Sequence, residues 1–242
     1  MKTTIKIVLP LIVGMEILFS GGCSGDMALL REKMSPARSV ALVLSAQSGI
    51  QVEESMESRT SQDIYTLEKK GSRMPFDKKL SRQVLEKLAA ELKKSFPNKT
   101  FVVPDIPVKK QKILGFEIEI PDMSVVEQDM VFAVTVVGTY SWHINKQTAD
   151  LELRTAFLPH EMERSSCCIV PASMETKSWQ PVGHAWFPLG KAMTKDVPAV
   201  SPSERKSIEA WVKAFAPEKL LPELLKDIEK QASELPAKMN QG

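Results

Sequence analysis

The chain has 242 residues, 43% of them apolar and 26% charged, the balance of a folded globular protein and not of a disordered one. Its 32 Lys and Arg stand against 30 Asp and Glu, which excludes the strong basic excess of a nucleic-acid footprint. Only 3 Cys are present, so the disulfide framework of a small secreted domain is excluded as well.

Lys2 and Lys6 open the chain with positive charge. An apolar run follows over residues 7–19, interrupted by Pro10 and Glu16, and ends in the small residues Ser20, Gly21 and Gly22 before Cys23. This is the three-part layout of a secretory signal. The run falls short of the roughly 20 apolar residues a membrane-spanning helix needs, and Glu16 adds to the cost of burying it.

Small residues directly before a Cys resemble the cleavage and acylation site of a bacterial lipoprotein. Such signals usually carry an aliphatic residue three positions before the Cys; here that position is Ser20, while Leu18 and Phe19 sit further upstream. Ser20-Gly21-Gly22 also fits ordinary secretory cleavage. The resemblance implies removal of residues 1–22, acylation of the Cys23 thiol and several lipid chains there, enough for stable attachment. Ser24, which is not Asp, implies the outer membrane by similarity to enterobacterial sorting.

Residues 23–37 then read as a lipidated start and a polar tether, with at most one helical turn near Met27–Lys33. Residues 39–45 form a short branched apolar run, the signature of a buried strand. Residues 51–75 lack a strong pattern and read as a long loop carrying at most a short strand near 64–67. Loops of this length are uncommon in compact domains. A flexible insertion and a partner-docking arm are both compatible with it.

The clearest helix covers residues 77–96. Leu80, Val84, Leu88, Leu92 and Phe96 recur every four residues, Leu85 and Ala89 widen the stripe, and Pro97 stops it. Residues 99–103 read as a strand. Residues 105–129 form a second insertion, in which the alternation Phe116-Glu-Ile-Glu-Ile120 marks a half-exposed strand and a candidate sheet edge blunted by charge.

Residues 130–144 and 149–158 alternate as a strand pair joined by a hairpin around Asn145–Gln147. One face, from Phe132 to Trp142, should meet the helix, and the other should be mostly wet. Further strands are expected at 169–170 and 182–187. Ser201-Pro-Ser-Glu204 is a capping-box start for a helix carrying Ile208, Trp211, Val212 and Phe215. A second helix starts near Pro217, and residues 237–242 should fray.

Cys167 and Cys168 are neighbours, about 3.8 Å apart at Cα, below the roughly 4.4–6.8 Å of ordinary disulfides. A vicinal bridge would be strained, and two unpaired thiols are the alternative. The three His are His143, His160 and His184, and a zinc site built from them would need all three to converge. Phosphate-loop, dinucleotide and nucleophile-elbow motifs are missing from the sequence. The reading therefore assigns no catalytic residue, no cofactor and no metal. Trp142, Trp179, Trp186 and Phe187 are the candidate partner contacts, with core packing as the alternative for Trp186 and Phe187.

The element order predicts an α+β fold, a mostly antiparallel sheet covered on one face by helices, as a single domain over residues 38–236. That order is similar to small periplasmic domains of envelope-assembly and transporter-auxiliary lipoproteins. The resemblance implies a membrane-anchored, non-catalytic adaptor for another envelope protein, with no nucleic-acid partner. A periplasmic carrier of an apolar ligand or lipid, and a cell-wall hydrolase with carboxylates about 5–9.5 Å apart, are the rival expectations.

Overall fold

The structure, a computed structural model, describes residues 24–45, 47–59, 64–113, 116–165, 176–183, 186–200 and 208–241. The elements in order are α1 (Ser24–Met34), β1 (Ser39–Leu44), β2 (Gly49–Arg59), β3 (Ile64–Met74), α2 (Lys78–Ser95), β4 (Thr100–Val102), β5 (Val108–Ile113), β6 (Phe116–Pro121), β7 (Met130–His143), β8 (Thr148–Ser165), β9 (Thr176–Pro181), β10 (Phe187–Val197), α3 (Ile208–Phe215) and α4 (Leu221–Gln241). This is the expected α+β class. Eight strands form a mixed sheet with the spine β10-β8-β7-β1-β4.

The hairpin of β7 and β8 is the axis of the sheet. Its register runs from Met130 opposite Glu161 to His143 opposite Thr148. A 3-10 turn over Ile144–Lys146 closes it, and Gln147 takes the left-handed conformation at φ 48° to reverse the chain. β8 outlasts the expected 149–158 because its outer edge is served twice. β10 pairs it up to Phe157, and β9 takes over from His160. Pro159, which has no N–H to offer a ladder, sits at the changeover, where its carbonyl accepts from Val182 N at 2.8 Å.

The other edge of β7 is also served twice, and here the pairing is parallel. β1 lies beside 130–134 and β2 beside 137–143. Between them the ladder is broken, and the Val136 N–H would be stranded in the core. The buried Ser48 hydroxyl accepts it at 3.1 Å, while Ser45 N still donates to Val134 O at 2.7 Å. The sheet is thus less antiparallel than the sequence predicts.

The stretch 51–75 is a hairpin and not a loop, with β2 and β3 antiparallel from Ile50 opposite Met74 to Arg59 opposite Ile64. Its charged and polar composition hides the strand period; the backbone register sets Glu53 opposite Lys70 and Glu54 opposite Lys69. The alternating strand β6 is likewise no edge of the main sheet; it pairs with β5 in a separate two-stranded ribbon.

Helices cover one face. α2 starts where the Asp77 carboxylate accepts from Lys79 N at 2.7 Å, an N-cap. It ends where Lys93 Nζ donates to the carbonyls of Pro97 and Lys99, cationic help at a helix C-terminus. Its stripe Leu80, Val84, Leu85, Leu88 and Leu92 is buried together with Leu224, Ile228, Ala232 and Leu235 of α4. Under them Phe132, Phe157 and Phe187 form an offset stack, with centroids 4.6 and 5.3 Å apart. The opposite face is not simply wet. Ala41, Val126 and Val131 make a second, smaller buried cluster there, with Val43, Val102, Ile106, Met123 and Trp179 packed on it.

Both chain ends differ from expectation. Residues 24–34 are not a tether: α1 is a helix whose Leu30 and Met34 are 0% exposed in the main core, with Met27 and Leu29 packed beside them. Past its C-terminus Lys99 Nζ donates to the carbonyls of Met34, Ser35 and Ala37, so it satisfies the last carbonyl of the helix and two in the turn that follows. α4 does not fray at Pro236 but runs through it to Gln241, burying Met239. Proline cannot donate to the carbonyl four residues back, and that carbonyl, of Ala232, is met by Ser95 Oγ at 2.8 Å. The capping box 201–204, Cys167, Cys168 and the expected strand at 169–170 lie outside the described residues. Of the expected strand at 182–187, Val182 and Gly183 follow β9 and are not strand, 184–185 lie outside the described residues, and β10 starts only at Phe187.

Candidate functional site

The four aromatic residues singled out from sequence do not form one patch. Phe187 is buried, stacked on Phe157 in the main core. Trp142 is half-buried against the same core near the β7–β8 turn. Trp179, on β9, packs in the second cluster and donates from Nε1 to Met123 O at 3.4 Å. Trp186 is half-buried in the connection before β10. Trp142 faces Ala149 and Trp179 faces Met162 on β8, so 13 residues of strand separate them, about 43 Å at 3.3 Å per residue. Cys23 and His184 lie outside the described residues.

His143 and His160 are equally far apart. His143 Nε2 lies 3.2 Å from Asp150 Oδ1 beside the hairpin turn. His160, opposite Val131, holds the Leu158 carbonyl with Nδ1 at 3.0 Å, and burial pushes its pKa down. Twelve strand positions, about 40 Å, prevent the two from sharing an ion. Among the described residues no group of three His, Cys, Asp or Glu is placed to hold a metal.

The carboxylates with shifted pKa values are tied to structural partners. Glu91 is buried; desolvation pushes its pKa up, but hydrogen bonds from Lys87 and Lys94, at 2.6 and 2.8 Å, outweigh it and the net shift is down. Glu152 follows the same logic with Lys191 and Arg154. Asp129 is lowered by the backbone N–H groups of Ser39 and Arg38, each 2.8 Å away, and so pins the start of β1 to that of β7. Asp122, at the base of the β5–β6 ribbon, is lowered to about 2 by Lys109 and Ser124. Each of these groups is held as an acceptor, the opposite of a carboxyl tuned to give and take protons near neutral pH.

Cavities follow suit. Between α2, α4 and the sheet the described core encloses about 10 Å³, lined by Leu80, Val84, Val136, Leu153 and Leu224. That is room for about one water, far below the roughly 300 Å³ of a small-ligand pocket. Two larger spaces among the described residues are open grooves of mixed polar and apolar lining. One of about 520 Å³ follows the α2–α4 seam along Glu91, Lys94, Lys226 and Lys230, and one of about 270 Å³ lies where α1 meets the ends of α2 and α4.

What the backbone does present is projecting ribbon. The β2–β3 hairpin continues for four pairs, Met56–Leu67 to Arg59–Ile64, past the last β2–β7 pair at Ser55–His143. At the other end of the β7–β8 axis, β8 and β9 continue for four pairs past Met130–Glu161. Four positions are about 13 Å of strand at each end. Among the described residues β3 pairs only with β2 and β9 only with β8, and such open edges are templates for strand addition. Sequence reading missed both ribbons because neither carries a clean apolar alternation.

No helix among the described residues is long and apolar enough to cross a membrane. No protein-family model and no curated protein matches the chain.

Proposed function

We propose that this chain is a cell-envelope lipoprotein, anchored through acylated Cys23 and acting as a non-catalytic adaptor for another envelope protein. The observation that carries the reading is the junction at Cys23. A short apolar run and three small residues lead into the Cys, and α1 begins at Ser24, the next residue. Cleavage before Cys23 would therefore leave the described fold whole, with the thiol at its start. An adaptor role is supported by the two projecting ribbons and by carboxylates engaged in structural contacts. Tethering concentrates the protein at its target, so modest affinity would serve.

The carrier reading needs a cavity between sheet and helices, and the described core offers about 10 Å³ there. A hydrolase would need a cleft with paired or proton-exchanging acids; the acids with shifted pKa values named above serve the fold. The test is photo-cross-linking in intact envelopes from positions in the β2–β3 and β8–β9 ribbons. Recovery of a discrete protein adduct supports the adaptor. Adducts to lipid or wall polymer alone, at every position, would count against it.

A further inference from the structure

The geometry of α1 points to a body held close against its membrane, with no spacer between the lipid and the fold. This rests on the anchor reading above and goes beyond it by fixing reach. Lipid-anchored proteins that work at a distance need a spacer between lipid and fold. Had residues 23–37 been a flexible spacer, its root-mean-square span would be about 20 Å and its full extension about 50 Å. The structure spends those residues on α1 instead. From Cys23 to Ser24 is one Cα step of about 3.8 Å. From Ser24 to Met27, already packed on the core, is about 4.5 Å of helix, and to the fully buried Leu30 about 9 Å. The lipid-bearing residue is thus within about 13 Å of a core side chain.

Three further contacts hold α1 in place. Lys99 ties down the carbonyls at its C-terminus. Lys33 Nζ reaches Glu161 Oε1 on β8 at 2.9 Å. Met34 is fully buried and joins Met239 of α4 in the main core. A body fixed this way cannot swing out to a target in the opposite membrane or deep in the wall. Its reach ends about its own diameter from the membrane surface.

The test is neutron reflectometry on the mature, lipidated full-length protein in a supported bilayer. Protein density starting within about 10 Å of the headgroups is the expected profile; a solvent layer of about 20 Å or more between headgroups and protein would overturn the inference. A second preparation separates this from failure of the anchor reading. The chain from Cys23, with Cys167→Ser and Cys168→Ser, is coupled through its remaining thiol to a maleimide lipid. A gap there overturns the geometry whatever the cell does to Cys23. A gapless layer with no acyl group on the cellular protein overturns the anchor and leaves the geometry standing.

Discussion

Replacing Leu30 by alanine separates a docked α1 from a tether. The side chain is 0% exposed within the main core. Leu→Ala removes three carbons, about 2.4 kcal/mol at about 0.8 kcal/mol per group, and the residual cavity adds to that, giving about 2.7–5 kcal/mol in well-packed cores. α1 is a peripheral helix of three turns, so its surroundings can collapse further than a central site can. The expected loss is therefore about 3 kcal/mol, read as a lowered urea midpoint at unchanged slope on the chain from Cys23. Undocking of α1 as a unit limits the damage. Leu30→Ala with Met34→Ala should then cost less than the sum of the single changes, while trypsin cuts faster at Arg31 and Lys33. A loss under about 0.5 kcal/mol, the range of an ordinary surface change, would refute the docking and restore the tether.

Other outcomes follow from single contacts. Ser95→Ala should cost about 1 kcal/mol by orphaning the Ala232 carbonyl; in a Pro236→Ala background, where a backbone N–H returns to that carbonyl, the same change should cost clearly less, and equal costs in a double-mutant cycle would reject the explanation. Gly138→Ala would place a Cβ 2.7 Å from Ile50 Cγ1 and 2.8 Å from Leu153 Cδ2, an overpacking penalty of about 1–3 kcal/mol in thermal or urea unfolding. Asp129 has a folded pKa below its unfolded one, so its contribution is full above the unfolded value near 3.9 and is lost as pH falls through the folded value. Asp129→Asn should thus destabilise at pH 7 by an amount that shrinks as pH falls below the unfolded value and through the lower folded one, and a pH-independent difference would contradict the assignment.

The sequence was most legible where one period dominates. The four-residue recurrence from Leu80 to Phe96, bounded by Asp77 and Pro97, located α2 to within a residue. Strict alternation located β7 and the start of β8. Legibility failed where burial and pairing came from elsewhere in the chain. Met27, Leu30 and Met34 have helical spacing, but the surrounding Arg31, Glu32 and Lys33 mask it, and only the surfaces of α4 and the sheet make that face a core. In β2 and β3 nothing in the residues alone distinguishes a ribbon from a loop, because β7 supplies the register. The parallel pairing of β1 and β2 along one strand turns on Ser48, whose role depends on a break in the ladder that no local pattern announces. Among the aromatic residues near 179–187, the core-packing alternative holds for Phe187, which completes a stack with Phe157 on the neighbouring strand and Phe132 on the next.

The anchor at Cys23 underlies the proposed function and the reach, and intact mass spectrometry of the protein purified from its own membranes tests it directly. The account predicts a chain that starts at Cys23 and carries diacylglycerol and fatty-acyl mass on that residue. A chain retaining residues 1–22, or one cut there with an unmodified thiol, would contradict it.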